Sequence, residues 1–181
     1  EMAKIVQMTV DGMASEGRPY IGVLYTGFIV VEENLRLIPY VLEYNCRLGD
    51  PETQVLLPLL HSDLYQIACC CCRGDLYPTD VLWKDGCAAT VVCAAAGYPN
   101  AYEKGTLIKF CEVEDDNTIV YHAGTNYTAT KQSGGEGDLI TSGGRVFSIT
   151  GVGPTLRTAF RNAYKALQNK NPIVSFKGMY Y

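Results

Sequence analysis

The chain has 181 residues, of which 48% are hydrophobic and 19% are charged, and this composition excludes an extended disordered protein. Its formal net charge is −4 at pH 7 and its basic residues form no cluster, which argues against a nucleic-acid or anionic-membrane surface. No apolar run approaches the roughly 20 residues of a membrane-spanning helix. The length allows one domain or two small ones.

The first elements predicted along the chain are an amphipathic helix, which ends at Gly17, and two long strands. The strands cover residues 20–31 and 37–47, and both are rich in strand-forming residues. Residues 32–36 form a polar segment between them. This order predicts an antiparallel hairpin.

The end of the second strand carries three polar side chains on one face. Glu43, Asn45 and Arg47 are two residues apart, and strand side chains alternate between faces. Two oxygen ligands beside a phosphate-binding guanidinium suit a Mg²⁺–nucleotide site, because Mg²⁺ takes few protein oxygens and leaves its other positions to phosphates and water. The motif is only five residues long, so it is also compatible in form with an amphipathic strand that has a solvated polar face.

A turn and a helix start follow this strand at once. Gly49 permits a sharp turn, Asp50 predicts an N-cap, and Pro51 predicts the first helical position. The helix should continue to Leu57, until Pro58 disturbs it. A strand with metal ligands would therefore lead to a helix N-terminus, whose free N–H groups favour an anion.

Residues 43–54 resemble the E-[FY]-N-x-R-[FL]-G-D-P-E-x-Q signature of the glycinamide ribonucleotide synthetase family, whose members are ATP-grasp ligases of purine synthesis. The resemblance covers nearly the whole chain, including residues 122–125 and 141–146 in its second half. Leu48 departs from the family, which usually has Phe there. The 181 residues contain no segment that resembles the family's amino-terminal domain or nucleotide-binding lobe. We therefore expect the C-terminal part of a longer enzyme.

The resemblance also implies a reaction. ATP would phosphorylate the carboxylate of glycine, and the amine of 5-phosphoribosylamine would displace phosphate from the resulting glycyl phosphate. Mg²⁺ or Mn²⁺ would be the metal, ATP the co-substrate and the cytoplasm the location. The expected partners are these small molecules, the amino-terminal lobes of the same enzyme and further purine-pathway domains in one polypeptide, with no nucleic acid and no membrane.

Individual residues receive roles from the same resemblance. Glu43 and Asn45 would be metal ligands, and Arg47 would be the catalytic residue that stabilises the transferring phosphoryl group. Asp50 and Glu52 would bind substrate by orienting the amino group of glycine. These assignments predict that the side-chain oxygens of Glu43 and Asn45 lie close enough to share one cation.

Residues 141–145 form the other candidate substrate site. Gly144 would let the backbone approach a ligand, and Arg145 can grip a phosphate. A tight turn between two strands explains the same residues equally well. If the segment lines a sugar-phosphate pocket, it should lie on the same side of the molecule as Glu43, Asn45 and Arg47.

Two alternative functions stay open. One is another ATP-grasp carboxylate–amine ligase, because the metal strand is shared more widely than residues 49–54. The other is a non-catalytic binding module derived from an ATP-grasp lobe. In each case we expect the 181 residues alone to be inactive.

Four consecutive cysteines, residues 69–72, do not predict a zinc site. They lie in a predicted helix with Ser62 as N-cap and Gly74 as its stop, and successive helical residues point in different directions. The other four cysteines are scattered, so structural thiols are favoured over zinc or disulfides. Residues 133–137 are glycine-rich but lack the lysine of a phosphate loop, which favours a flexible hairpin tip.

The second half of the chain changes to short strands separated by turn residues. A helix should follow Pro154, and a last strand should rejoin the sheet; the predicted strands are residues 88–95, 106–113, 118–122, 138–141, 145–150 and 173–176. We predict an α+β fold. Residues 1–85 would be part of an ATP-grasp lobe with antiparallel strands and helices, and residues 86–181 a small β-rich domain with a packed helix.

Overall fold

The computed structural model describes residues 1–111, 115–129, 137–168 and 172–181. In these ranges the α-helices are α1 (Met2–Ser15), α2 (Thr53–Leu59), α3 (Leu64–Arg73) and α4 (Leu156–Gln168), with a 3-10 turn at Pro78–Asp80. The strands are β1 (Tyr25–Glu33), β2 (Arg36–Asn45), β3 (Cys87–Ala94), β4 (Ile108–Phe110), β5 (Thr118–His122), β6 (Thr125–Tyr127), β7 (Leu139–Thr141), β8 (Arg145–Gly153) and β9 (Val174–Phe176). The mixed composition of helices and antiparallel strands confirms the predicted fold class.

The chain divides into two compact units. Unit 1 contains Glu1–Asp50 and Leu60–Leu82, and unit 2 contains Pro51–Leu59 and Trp83–Tyr181. The predicted domain boundary after residue 85 lies close to the last change of unit, at residues 82–83. The two divisions differ mainly in α2, which belongs to unit 2 in the structure.

In unit 1 the predicted hairpin is confirmed, since β1 and β2 pair antiparallel. Its turn is shorter than predicted, because the strands continue to Glu33 and resume at Arg36. The two residues between them, Asn34 and Leu35, have φ values of 51° and 61°. Two residues with positive φ are typical of the turn whose twist matches that of the flanking strands.

The predicted N-cap of α3 is wrong by one residue. Asp63 is the cap, and its side chain accepts a hydrogen bond from the Gln66 N–H at 3.0 Å. Ser62 instead accepts a hydrogen bond from the Leu82 N–H at 2.8 Å, so its hydroxyl oxygen is engaged by the chain segment that follows α3. Gly74 ends α3 in the left-handed conformation, with φ 74°, as predicted.

Helix α2 begins later than predicted. Its first residue is Thr53, because Pro51 and Glu52 lie in a turn whose carbonyls accept the first hydrogen bonds. Pro58 lies inside the last turn, and the helix ends one residue later. In unit 2, Thr150 Oγ1 lies 3.0 Å from the Gln54 carbonyl oxygen and therefore holds α2 on the sheet.

Unit 2 is built around a three-stranded antiparallel sheet in which β8 lies between β3 and β5. Successive residues of a strand face opposite sides, and Thr150 contacts α2 while Gly151 faces α4. A methyl group at Gly151 would lie 2.1 Å from the Ala159 carbonyl oxygen, so glycine permits the close approach of α4. The two helices therefore cover opposite faces of this sheet.

The hydrophobic core lies in unit 2, between the sheet and α4. Its fully buried members include Cys93, Val146, Phe147, Ile149, Ala163 and Val174. No helix in the described ranges has both the length and the hydropathy needed to cross a bilayer.

Two pairings in unit 2 differ from the sequence predictions. Strand β6 was not predicted, and it pairs with β7. Strand β9 pairs with β4 in a separate two-stranded sheet and does not join the three-stranded one, so the prediction for the last strand is wrong in its partner. Most of the predicted glycine-rich hairpin tip, residues 133–136, and the end of the predicted strand 106–113 lie outside the described residues.

Candidate functional site

The register of the hairpin places the polar end of β2 beside a glycine. Gly27 of β1 pairs with Glu43, while the next residue, Phe28, pairs with Val41. Leu42 is therefore the extra residue of a bulge, a feature that often redirects side chains near functional sites. A methyl group at Gly27 would lie 3.1 Å from Glu43 Cγ, so this glycine leaves room for the glutamate side chain.

The predicted site residues Glu43, Asn45 and Arg47 lie together at the end of β2, with Arg47 in the bend that follows the strand rather than in the strand as predicted. Asn45 Nδ2 donates a hydrogen bond to Glu43 Oε1 at 3.0 Å, and Arg47 Nη2 donates one to Asn45 Oδ1 at 3.3 Å. Arg47 Nη1 also donates to the Leu48 carbonyl at 3.0 Å. Glu43 and Arg47 are exposed and Asn45 is half-buried, so the row of polar groups is open to a ligand.

The opposite face of the same strand is attached to other parts of unit 1. The Tyr44 hydroxyl lies 2.8 Å from Thr9 Oγ1 on α1. Tyr20 interacts with Cys46, and this hydrogen bond is the main reason why the pKa of the Tyr20 hydroxyl is raised. The residues that alternate with Glu43, Asn45 and Arg47 thus fix the strand from behind.

The donor set of this face fits a hard divalent cation. Glu43 offers carboxylate oxygens and Asn45 an amide oxygen, and their hydrogen bond brings the two side chains within 3.0 Å. The amide nitrogen now points toward Glu43, and rotation of the amide group would exchange it for the oxygen. Two protein oxygens match the few that Mg²⁺ takes when phosphates and water complete its shell.

Asp50 and Glu52 lie on the turn after the strand. Asp50 is exposed and is the last residue of the first segment of unit 1. Glu52 is half-buried in unit 2, where its carbonyl accepts hydrogen bonds from the Val55 and Leu56 N–H groups. A joint role of the two carboxylates in binding glycine stays a prediction.

The predicted substrate turn, residues 141–145, connects β7 to β8 in unit 2. Its backbone is fixed on one side by Gly124, whose carbonyl accepts hydrogen bonds from the Ser142 and Gly143 N–H groups at 2.7 and 3.2 Å. On the other side, the Ala95 N–H donates to the Gly144 carbonyl at 2.8 Å. The turn is therefore a rigid part of the fold.

The packing around Gly144 gives a structural reason for its identity. A methyl group there would lie 2.1 Å from Cδ2 of the Tyr98 ring and 3.0 Å from Cε1 of Tyr102. The space beside Gly144 is filled by aromatic rings, so the backbone at this point approaches Tyr98. Arg145 is half-buried at the start of β8, and substrate binding by Gly144 and Arg145 stays a prediction.

A cavity of about 510 Å³ lies next to this turn in unit 2. Thr141 and Tyr102 contribute to its wall, and the charged side chains of Glu103 and Lys177 also line it. The Thr141 hydroxyl accepts a hydrogen bond from the Thr106 N–H at 3.0 Å. The cavity therefore combines an ordered polar wall with charges of both signs.

The cysteines form no metal centre within the part of the chain that the structure describes. All eight are free thiols, and no group of three or more Cys, His, Asp or Glu residues in the described ranges could hold a metal ion. His122 packs against Phe110 and Phe147, and its Nδ1 lies 3.1 Å from Thr125 Oγ1. This setting is that of a hydrogen-bonded structural histidine.

Sequence reasoning missed two residues that shape these sites, Gly27 and Tyr98. Counting outward from a two-residue turn at Asn34 and Leu35 would have brought Gly27 close to Glu43. Nothing local in the sequence signals that Tyr98 covers Gly144, because the contact joins segments 46 residues apart.

Comparison with known families matches both ends of the chain to one kind of enzyme. Residues 88–181 match the family described as phosphoribosylglycinamide synthetase, C domain. Residues 1–53 match the ATP-grasp (A) domain of the same synthetase. The second match contains Glu43, Asn45 and Arg47, and the first contains Gly144 and Arg145.

Similar curated proteins are considerably longer than this chain. The bifunctional purine biosynthetic protein purD of Dictyostelium discoideum is 42% identical over 183 residues, which cover 98% of this chain and 21% of that protein. The phosphoribosylamine–glycine ligase of Vigna unguiculata is 40% identical over 173 residues, which cover 94% of this chain and 53% of that protein. The chain thus spans between about a fifth and about half of the length of these relatives.

A solved structure supports the same relationship. The crystal structure of phosphoribosylamine–glycine ligase from Thermotoga maritima superposes with a TM-score of 0.80 at 34% identity. The superposition covers 99% of this chain and 41% of that one. Since the C-domain family alone matches more than half of the residues, the chain belongs to the phosphoribosylglycinamide synthetase family.

Proposed function

We propose that this chain supplies the C-terminal part of a phosphoribosylamine–glycine ligase, an ATP-dependent enzyme of purine synthesis in the cytoplasm. The enzyme joins glycine to 5-phosphoribosylamine through a glycyl-phosphate intermediate. The observation that carries the proposal is the row of hydrogen-bonded side chains formed by Glu43 and Asn45 of β2 and by Arg47, two residues beyond the end of that strand. The identity of about 40% to phosphoribosylamine–glycine ligases over nearly the whole chain supports the choice of substrates.

The proposed metal ligands are Glu43 and Asn45, whose oxygens suit Mg²⁺ or Mn²⁺. A bound divalent ion would neutralise charge on the phosphates of ATP. The bulge at Leu42 and the contacts of Tyr44 and Cys46 hold the two side chains on one face before any ligand arrives. Such preorganisation lowers the cost of arranging ligands during the reaction.

Arg47 is the proposed catalytic residue. Its guanidinium already lies against the Asn45 amide oxygen at 3.3 Å and is exposed on the same face. A planar fork of N–H donors matches the oxygens of a phosphoryl group or an acyl phosphate. We propose that Arg47 stabilises the charge on the phosphoryl group as it passes from ATP to glycine.

The glycine and phosphoribosylamine sites are assigned to four further residues. Asp50 and Glu52 would attract the ammonium group of glycine through their carboxylates. Arg145 would bind the phosphate of 5-phosphoribosylamine, with Gly144 shaping the turn from which it projects. The hydrogen bonds that fix this turn on both sides support a role in positioning.

The apolar surface of unit 1 suggests a partner within the same enzyme. Side chains of the hairpin such as Ile29, Leu37 and Leu42 are 47%, 72% and 66% exposed, and an exposed apolar area of this kind usually marks an interface. We propose that the other lobe of the ATP-grasp domain covers it. Further purine-pathway domains in the same polypeptide are also proposed, as the name of the bifunctional relative suggests.

The test is release of ADP from ATP by the complete polypeptide in the presence of Mg²⁺. We expect turnover only when glycine and 5-phosphoribosylamine are both present. Turnover with a different acid or amine would favour another ATP-grasp ligase, and tight Mg²⁺–ATP binding without turnover would favour a binding module. We expect the 181 residues alone to release no ADP, because the exposed face of β2 leaves ATP open to water.

A further inference from the structure

The cavity of about 510 Å³ in unit 2 is lined by segments that are distant in sequence. Strands β4 and β9 pair antiparallel with Ile108 opposite Phe176, so the chain before β4 and the chain after β9 meet at the same end of this sheet. Glu103 lies on the first of these segments and Lys177 on the second. The topology therefore brings a carboxylate and an ammonium group into the wall of one cavity.

The end of β7 gives the cavity a rigid polar wall. The Thr141 N–H donates to the Thr106 carbonyl at 2.9 Å, and the Thr141 carbonyl accepts from the Gly105 N–H at 2.7 Å. Both backbone groups of Thr141 are thus bonded to the segment that carries Glu103, and these bonds hold the two walls together. Residues 95–97, which are Ala, Ala and Gly, also line the cavity, and their small side chains leave it open.

The buried side chain of Thr141 keeps one hydrogen-bond donor available to a ligand. Thr141 is 1% exposed, and its Oγ1 accepts the Thr106 N–H at 3.0 Å. Within the described ranges, no residue accepts a hydrogen bond from the Thr141 O–H group. Burying a donor without an acceptor costs free energy. Because Thr141 lines the cavity, a ligand oxygen bound there would supply the acceptor.

Size and charge decide the class of ligand. Pockets of roughly 300–1,000 Å³ hold whole small molecules, so the cavity is larger than glycine requires. The triphosphate of ATP carries several negative charges, which one lysine beside one carboxylate does not balance. A ribose 5-phosphate group fits better. Lys177 can bind its phosphate, Thr141 can donate to one of its oxygens, and Glu103 can accept hydrogen bonds from its vicinal hydroxyls.

We propose that this cavity binds the ribose 5-phosphate part of the amine substrate. The inference rests on the proposed function, since 5-phosphoribosylamine is the substrate that carries this group. Thr141 ends β7 and begins the turn that contains Gly144 and Arg145, so the cavity extends the proposed site of those two residues. Glu103, Thr141 and Lys177 are then specificity-determining residues for the sugar phosphate.

The experiment measures binding of ribose 5-phosphate to the complete polypeptide by isothermal titration calorimetry, without ATP or glycine. Ribose and inorganic phosphate are titrated separately. We expect ribose 5-phosphate to bind at least about tenfold more tightly than either, because it joins the two groups that the cavity recognises in one molecule. Equal affinity for inorganic phosphate would overturn the proposal, since it would mean an anion site with no place for ribose.

Matched variants test the named side chains. Lys177→Gln and Glu103→Ala should each weaken ribose 5-phosphate binding by about tenfold, because each removes a charged hydrogen-bond partner. Lys109→Gln alters an exposed lysine of β4 outside the cavity and should leave the affinity unchanged. Thr141→Val should also weaken binding, and Thr141→Ser, which keeps the hydroxyl, should retain it. Lys177 and Glu103 are exposed, so the midpoint of urea denaturation should not change in their variants.

Steady-state kinetics of the complete polypeptide separate this proposal from the proposed function. In an active ligase, Lys177→Gln should raise the KM for 5-phosphoribosylamine by about tenfold and leave the KM values for ATP and glycine unchanged. Failure of the unaltered protein to release ADP would contradict the proposed function, while the calorimetry would still test the cavity. Unchanged ribose 5-phosphate binding in both Lys177→Gln and Glu103→Ala would overturn the cavity assignment even in an active ligase.

Discussion

The two units of this protein differ in how their apolar residues are used. In unit 2, residues of β3, β8 and α4 are buried completely around Phe147 and Ala163. In unit 1, Gly49 is the one described residue that is buried, and large apolar side chains of β1 and β2 remain exposed. The difference follows from layering, since the β1–β2 hairpin is a two-stranded sheet and such a sheet has too few layers to bury its faces.

The two units also differ in the kind of interaction that determines their structure. Unit 1 is specified by local signals, such as the two-residue turn and the cap at Asp63. Unit 2 is specified by packing between segments distant in sequence, such as Gly151 against α4. We therefore expect substitutions in unit 2 to change stability and substitutions on β2 to change chemistry.

The largest effect is expected for Phe147→Ala. Phe147 is 0% exposed, and its removal should lower the free energy of unfolding of unit 2 by about 3–5 kcal/mol. The matched change in unit 1, Ile29→Ala, affects a side chain that is 47% exposed and should cost less than about 1 kcal/mol. Urea denaturation followed by circular dichroism measures both. Equal losses would mean that unit 1 is as well packed as unit 2.

Glu43→Gln in the complete enzyme should reduce Mg²⁺-dependent turnover by at least about two orders of magnitude, because one contact in phosphoryl transfer is typically worth about 3 kcal/mol. Arg47→Lys should also be severely impaired, since lysine lacks the planar fork. Neither should change the midpoint of urea denaturation, because both side chains are exposed. Near-normal turnover of Glu43→Gln would remove this residue from the proposed site.

Cys93 should make the stability of unit 2 sensitive to alkaline pH. Burial raises the pKa of its thiol from 9.0 to about 12, so the folded state holds the proton more tightly than the unfolded state. The resulting stabilisation is fully present below pH 9 and is lost as the pH rises toward 12, by up to about 1.4 kcal/mol per pH unit. Denaturation curves of Cys93→Ala between pH 9 and 11 should show a shallower decline. Cys72→Ala, which alters an exposed thiol of unit 1, should show no such change.

The smallest effect is expected in the hairpin turn. Leu35 has φ 61° and is 93% exposed, so glycine would relieve backbone strain without removing a packed side chain. Leu35→Gly should stabilise the hairpin by about 1 kcal/mol, measured as slower amide hydrogen exchange in β1 and β2. Asn34→Gly should have a smaller effect, because asparagine tolerates this conformation better. Faster exchange in Leu35→Gly would contradict a strained turn.

Local signals made much of unit 1 predictable from the sequence. Alternation along the predicted strand, residues 37–47, placed Glu43, Asn45 and Arg47 on one face. Their hydrogen bonds confirm that the three side chains lie together, although β2 itself ends at Asn45. The glycine that ends α3 was also predictable. The cap was missed by one residue because Ser62 and Asp63 are both good caps, and the choice depends on the hydrogen bond between Ser62 and Leu82.

Long-range contacts explain what the sequence did not reveal in unit 2. The pairing of β9 with β4 joins strands more than 60 residues apart, and no local pattern distinguishes that partner from the edges of the three-stranded sheet. The role of Gly144 was also hidden. Its sequence context suggested an approach to a ligand, while its packing against Tyr98 depends on a separate loop.

The assignment of α2 to unit 2 limits how this protein can be cut into working pieces. The chain passes from one unit to the other three times, at residues 50–51, 59–60 and 82–83. A protease that cleaves a single peptide bond therefore cannot release either unit with all of its segments. Two polypeptides split near residue 85 would leave α2 on the piece that lacks Thr150, its hydrogen-bond partner on β8. A rearranged gene that encodes residues 51–59 together with residues 83–181 in one polypeptide is the better route to an isolated second unit.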